Sequence, residues 1–393
     1  MKKHILILFL FIVLKTNSQN IVPNYSFEDM IQCPDNGGEL NFTSQWYAPT
    51  SGTSDYFNQC GAIGNTGVPS NFAGTQYAKT GQAYIGIVVY GSNPFSFREY
   101  AQTQLIDTLE QGKNYCISFN VNLPDNPAYT MVAITEMGLL LSNNPITSGN
   151  TLPLPYTPQI TSPSGYFLND TTQWVEISGT YSALGGEKYI TIGNFKNDIN
   201  TDTMMLTTLS AEGYYYVDDV SIYEIKNTDA GNDTTICNGN IVQLGNANYQ
   251  GVTYSWQPTT GLSNANIGNP TASPAQTTTY YLTQTTACNI TTDTVTVTVC
   301  DLPDVTVPNI FTPNNDGIND EFRITSKKIT SLNCKIYNRW GILVGELTRI
   351  NEGWDGRSTS GLQCTTGFYY YVLTATGEDG KEYDEKGFVS LVK

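Results

Sequence analysis

The run Thr294-Val295-Thr296-Val297-Thr298-Val299 alternates a polar with an apolar side chain at every step. Only an extended strand turns a period of two into one buried and one solvated face. Other strand-like runs are Ala83–Val88, Tyr115–Val121, Trp174–Tyr181 and Tyr189–Phe195, divided by Gly, Pro, Asn and Asp, and no convincing helical period interrupts them. Aromatic residues make up 12%, with 26 Tyr, and charged residues only 14%. Such a composition favours pleated, half-buried surfaces, so the expected class is all-β. The 393 residues leave room for two to four domains.

Basic residues mark the divisions. After Lys226 no Lys or Arg occurs until Arg323. The predicted organisation is three tandem β-sandwiches over residues 20–226, 227–300 and 301–393. Many short strands in the first imply two packed sheets.

Lys2 and Lys3 precede the apolar run Ile5–Leu14 and then Thr16-Asn17-Ser18, the pattern of a signal peptide over residues 1–18. That run is half of the ~20 residues needed to span a bilayer. The expected location is therefore secreted or on the outer cell surface, reached through the periplasm. The single histidine is His4, so the remainder offers no histidine for a Ser-His-Asp or Cys-His site, a general base or a zinc centre. A formal charge of −16 argues against nucleic acid or anionic lipid as a partner. Eight cysteines in an exported chain point to disulfides. Cys237 with Cys288 is the expected pair, since each flanks an end of the middle module, and closing that loop would add about 4 kcal/mol on the chain-entropy account. Cys33 with Cys60 is a second. Cys116, Cys300, Cys334 and Cys364 have no partner assignable from sequence.

Five motifs occur in order over the last ninety or so residues: Val307-Pro308-Asn309-Ile310-Phe311-Thr312-Pro313-Asn314-Asn315-Asp316-Gly317, Ile336-Tyr337-Asn338-Arg339-Trp340-Gly341, Gly353-Trp354-Asp355-Gly356, Gly367-Phe368-Tyr369-Tyr370-Tyr371 and Lys386-Gly387-Phe388-Val389. Together they closely resemble the gliding-motility-associated, or type B sorting, C-terminal domain of the Bacteroidetes type IX secretion system. The resemblance implies export across the outer membrane, with residues 301–393 engaging the translocon and an outer-membrane partner. The middle module, with Trp256 between two cysteines, resembles Ig- and PKD-like spacers. The opening Asn20-Ile21-Val22-Pro23-Asn24-Tyr25-Ser26-Phe27-Glu28 and the closing Tyr216-Val217-Asp218-Asp219-Val220-Ser221-Ile222 resemble the end strands of family 4/9-type carbohydrate-binding modules. Those are galactose-binding-like jelly rolls. This resemblance implies a structural calcium at Glu28 and Asp218, with Asp219 as a further ligand.

Residue chemistry allows the same metal. Alternation aligns Asp218 with Val220 and Ile222, facing inward, where a carboxylate needs compensation, and calcium takes six to eight oxygen ligands. The alternative is carboxylates hydrogen-bonded to backbone. The loop Asn314–Asp320 offers the same two readings, with a structural turn preferred. Trp46, Tyr47, Tyr56 and Phe57 form a candidate ligand surface. Tyr90, Phe95, Phe97 and Tyr100, with Arg98 and Glu99, form another; packing is the alternative for both. Glu99, Glu110, Asp125, Glu136 and Glu176 could serve carboxylate-based glycoside hydrolysis, yet none lies in a catalytic motif. The expected function is non-enzymatic binding of a polysaccharide or a surface protein through residues 20–226.

Overall fold

A computed structural model describes residues 19–91, 96–128, 132–208, 212–237 and 239–393; the signal-peptide segment lies outside the described residues. The protein is all-β, and the helical elements among the described residues are two short 3-10 turns, Leu40–Phe42 and Asp198–Asn200. Its main hydrophobic cores follow one another along the chain, the first spanning Val22 to Ile222, the next Ala230 to Val297 and the last Val305 to Leu391.

The first unit is a sandwich of two five-stranded antiparallel sheets. The front sheet has the order Trp46–Tyr47, Ala101–Gln104, Tyr189–Gly193, Gly138–Ser142, Ile160–Thr161. The back sheet has the order Val175–Ser182, Asn114–Asn122, Gly213–Glu224, Ala83–Tyr90, Asp55–Asn58. Alternation works as the sequence implies: Ala83, Ile85, Ile87 and Val89 from one strand and Ile117, Phe119 and Val121 from another enter the core between the sheets. The N-terminal segment runs beside the last strand, Ile21 N–H donating to the Ile222 carbonyl and Val220 N–H to that of Tyr25.

The outer face of the back sheet is unusual in being half covered. Phe57, Tyr84, Tyr214 and Tyr216 project from it and pack under Phe72, Ala73, Val68 and Ala78 of the segment joining Asn58 to Ala83. Asn71 is the polar rivet of this strap, donating to the Tyr84 hydroxyl at 2.9 Å and accepting from that of Tyr216 at 2.6 Å. Cys33–Cys60 ties the root of the strap to the N-terminal segment, as expected from sequence.

In the middle unit Thr253–Gln257, Thr278–Thr285 and Ile290–Cys300 form an antiparallel ladder, with Thr234–Cys237 parallel to the last. Val295 and Val297 are buried, and Trp256 is fully enclosed with its indole N–H on the Ile267 carbonyl. In the last unit Ile310–Phe311, Glu382–Leu391, Gly367–Gly377, Ile329–Tyr337 and Leu343–Leu347 form one sheet. Phe311, Trp354 and Tyr369 meet in its core in tilted and edge-to-face contacts, at centroid distances of 5.3 and 5.1 Å.

The expected Cys237–Cys288 bridge is not formed. Cys237 pairs with Cys300, its direct neighbour in the parallel ladder, at a Cα separation of 4.6 Å. Cys288 sits in the hairpin before the long strand Ile290–Cys300, and a dozen residues of strand put roughly 40 Å between its ends. It bonds instead to Cys116 of the first unit. Ser178 supports the same contact, its hydroxyl donating to the Ala287 carbonyl at 2.9 Å. Cys334 and Cys364 are buried free thiols.

The Cys116–Cys288 cross-link should fix the angle between the first two units. Replacing both cysteines by Ala is expected to leave each unit's melting transition in place while broadening the distance distribution seen by small-angle X-ray scattering. An unchanged distribution would mean that the Ser178–Ala287 contact suffices.

Candidate functional site

Chemistry-bearing side chains concentrate on the outer face of the back sheet, and a β-bulge sets their arrangement. Along Gly213–Glu224 the core-facing residues are Tyr215 and Val217, then Val220 and Ile222. Parity changes because the register shifts between Asp218 and Ser221. Two consecutive aspartates therefore leave the sheet on its outer side, as bulges allow, with Asp219 at φ 48°. This corrects the inward placement of Asp218 beside Val220. It is buried, but beneath a turn on the outer face rather than in the core.

That turn is Lys79–Ala83. Asp218 accepts from Lys79 N–H at 2.8 Å and from its own neighbour Asp219 N–H at 2.7 Å. Asp219 accepts from the Thr80 hydroxyl at 2.6 Å, and Glu28 accepts from Gln82 and Ala83 N–H at 2.8 and 3.0 Å. Gly81 closes the turn at φ 66°, and a Cβ there would lie 2.2 Å from the Glu28 carboxylate. The three residues predicted to meet are thus brought to one turn. Their oxygens face N–H and O–H donors, and among the described residues no three His, Cys, Asp or Glu side chains gather as a metal cluster. Burial, then the charge of Asp219, pushes the Asp218 carboxyl well above the usual range.

The aromatic surfaces drawn from sequence come apart under the same alternation. Trp46 and Tyr56 point into the core, with Trp46 donating to the Asn24 carbonyl and Tyr56 to that of Phe27. Phe57 faces outward but lies under the strap. Only Tyr47 keeps partial exposure, on the front sheet, where it accepts from Gln102. Adjacent residues on a strand cannot share a face, which the grouping of Trp46 with Tyr47 overlooked. In the second group Tyr100 is buried between Asn194 and Leu154. Arg98 is fully buried and paired with Asp198 at 2.7 Å, and Phe95 lies outside the described residues.

The candidate carboxylates do not converge as a hydrolytic pair. Glu110 bonds Lys113, Glu136 bonds Lys196, and Asp125 accepts from Thr75 N–H. Glu99 is buried and saturated, accepting from Val88 N–H and from both the N–H and the hydroxyl of Thr53. Glu176 stands exposed on the outer face, opposite Asn120 in the ladder. A buried partner that the sequence did not suggest is Asp55, which accepts from Gly38 N–H and the Tyr214 hydroxyl. In the last unit, the loop Asn314–Asp320 is a self-bonded turn. Asp320 accepts from the N–H groups of Asn314, Asn315 and Gly317.

Residues 305–391 match the family described as the CHU_C type IX secretion signal domain. No curated protein matches the sequence. Among solved structures, the chain is similar to the CBM22-1 xylan-binding domain of Paenibacillus barcinonensis Xyn10C, at 15% identity over 54% of this chain and 97% of that one, with a TM-score of 0.29. It is also similar to the K2 cleaved adhesin domain of Lys-gingipain, at 11% identity over 52% of this chain and 97% of that one, TM-score 0.26. The K1 cleaved adhesin domain of the Porphyromonas gingivalis W83 Lys-gingipain is similar at 14% identity over 49% and 96%, TM-score 0.23. The C-terminal match is a type IX secretion signal and implies export through that system.

Burial pushes the Asp55 carboxyl up to about 6, and burial with the charge of Asp55 pushes that of Glu99 up to about 7. Unfolded, both titrate near ~4. Within that window the folded chain holds more protons than the unfolded one. Their contribution is therefore complete below about pH 4 and is lost as pH rises through 6 and 7, at about 1.4 kcal/mol per group per pH unit. The melting temperature should fall between about pH 4 and pH 7, and Asp55→Asn should flatten the part below about pH 6. A profile that rises over this range would contradict the assignment.

Proposed function

We propose that this is an exported, non-enzymatic binding protein of the cell surface or its surroundings. In this reading residues 20–226 engage a polysaccharide or a surface protein, residues 227–300 act as a spacer, and residues 301–393 engage the type IX translocon and an outer-membrane partner. The observation that carries it is the secretion-signal match at one end of the chain, set against a first unit whose candidate carboxylates Glu110, Glu136 and Glu99 are separately paired or saturated. The last unit supports it physically. Its core is closed on itself, while Phe368, Tyr370 and Phe388 stay exposed on one face, with Phe368 and Phe388 in edge contact at 5.5 Å. An exposed aromatic patch of this kind marks an interaction surface.

Export is the decisive test. Deleting residues 301–393 should leave the protein in the periplasm, read by fractionation and surface proteolysis of intact cells. Undiminished surface display of the truncated chain would remove the role assigned to that domain.

Calcium belongs to the same proposal. Asp218 is buried beside Asp219, and the Lys79 charge acts on the Asp219 carboxyl. A hard cation taking oxygens from Glu28, Asp218 and Asp219 would relieve that repulsion, provided the carboxylates turn from their N–H donors. Calcium should then raise the melting temperature relative to chelator, and Asp219→Asn should abolish the rise. Identical melting with calcium and chelator would leave a carboxylate-clasped turn with no metal.

A further inference from the structure

The strap covers only half of the outer face of the back sheet. Over the other half stands the middle unit, and the space between them is a cleft of about 470 Å³ whose walls include Asn120, Glu176, Ser118, Ser221, Tyr25 and Tyr223. Small-molecule sites run from roughly 300 to 1,000 Å³. Gly251 and Ala287 of the middle unit border it, and Cys116, bonded to Cys288, lies in its wall. The roof is therefore covalently held over the floor.

Asn120 is the informative residue. It is 5% exposed, and its ladder neighbours are Glu176 on one side and Asp218 on the other. Its side-chain amide lines the cleft, yet makes no hydrogen bond to any described residue. An amide that opens on a cleft without a protein partner is free to donate to and accept from whatever occupies it. Beside it Glu176 is exposed and in no ion pair among the described residues. Ser118 and Ser221 share a hydrogen bond at 2.9 Å and retain acceptor capacity. Tyr25, 41% exposed, and Tyr223 supply ring surface.

An amide, a free carboxylate and two hydroxyls between tyrosine rings suit a ligand that has many hydroxyls and an apolar face. Carboxylates accept from neighbouring hydroxyls, the amide does both, and rings cover the C–H face. Charge narrows the class. Glu176 and Asp219 outnumber Lys79 at the cleft, and the whole chain is strongly acidic, so an anionic polymer would be repelled. We infer that the junction of the first two units is a binding site for a neutral oligosaccharide, with Asn120 and Glu176 as its polar contacts. The site rests on the reading of the first unit as a glycan-binding one.

Affinity electrophoresis of the full exported chain tests it, through gels containing xylan, mixed-linkage β-glucan or galactomannan, and through gels containing alginate or polygalacturonate. The wild type should be retarded by at least one neutral polymer and by neither acidic one. Asn120→Ala and Glu176→Gln should each weaken that retardation at least tenfold, whereas Tyr47→Ala, on the opposite sheet, should not. Melting curves confirm folding, and Glu176→Gln, at an exposed position, keeps the test open if Asn120→Ala destabilises the sheet. Wild-type retardation in both cleft variants would overturn this site while leaving glycan binding intact. Retardation by the acidic polymers alone would overturn the ligand class. Failure of every polymer to retard the wild type would remove the glycan reading together with the site.

Discussion

A strand gives each residue one of two faces, and the organisation of this protein depends on which residues take which. The sandwich core claims one parity of every strand in the back sheet, so whatever the other parity carries must be covered or left to solvent. Ala83, Ile85, Ile87 and Val89 take the core side. Tyr84, Tyr214 and Tyr216 take the outer side, where three large aromatics could not stay bare. The strap answers that constraint with apolar cover and with Asn71, which satisfies two of the phenols. Where the outer parity is polar, at Ser118, Asn120 and Glu176, no apolar strap is needed, and the middle unit stands over the face with a cleft between.

The same alternation explains what was legible beforehand. A clean run such as Thr294–Val299 fixes strand, face and burial together, and Val295 and Val297 are buried accordingly. Part of the motif set in the last ninety residues builds that core, with Phe311, Trp354 and Tyr369 in tilted and edge contact at its centre, while Trp340, Phe368, Tyr370 and Phe388 stay exposed. The convergence of Glu28 with Asp218 and Asp219 followed from placing the first and last strands side by side. Alternation misled at Asp218 because a bulge is invisible in a pattern of polar and apolar letters. One extra residue reverses the parity of everything beyond it.

Disulfides fail for another reason. Sequence spacing says which loops would close, but bonding requires Cα atoms within about 4.4 to 6.8 Å, and that distance is a property of the ladder. Cys237 and Cys300 are register partners, while Cys288 is displaced to the far end of the same strand. Cys33 and Cys60, 27 positions apart, do pair as expected. Cys116 with Cys288, 172 apart, depends on how two units dock, on which neither unit's own sequence bears. The ligand-facing role of Asn120 was hidden similarly: an asparagine in a strand has no signature until its neighbours leave it without a partner.

The cysteines that stay reduced complete the physical picture of an exported chain. Six are locked in pairs, and the two left over, Cys334 and Cys364, sit inside the secretion-signal unit. Burial pushes the Cys334 thiol up to about 12 and raises that of Cys364. Thiolate is the species that attacks a disulfide, and burial shifts both thiols away from it. Both thiols are also buried, which restricts their access to other sulfurs. In an unfolded signal unit both thiols would return towards their ordinary acidity near ~8.5 and regain that reactivity. Folding of the last core thus lowers the reactivity of both thiols by burying them.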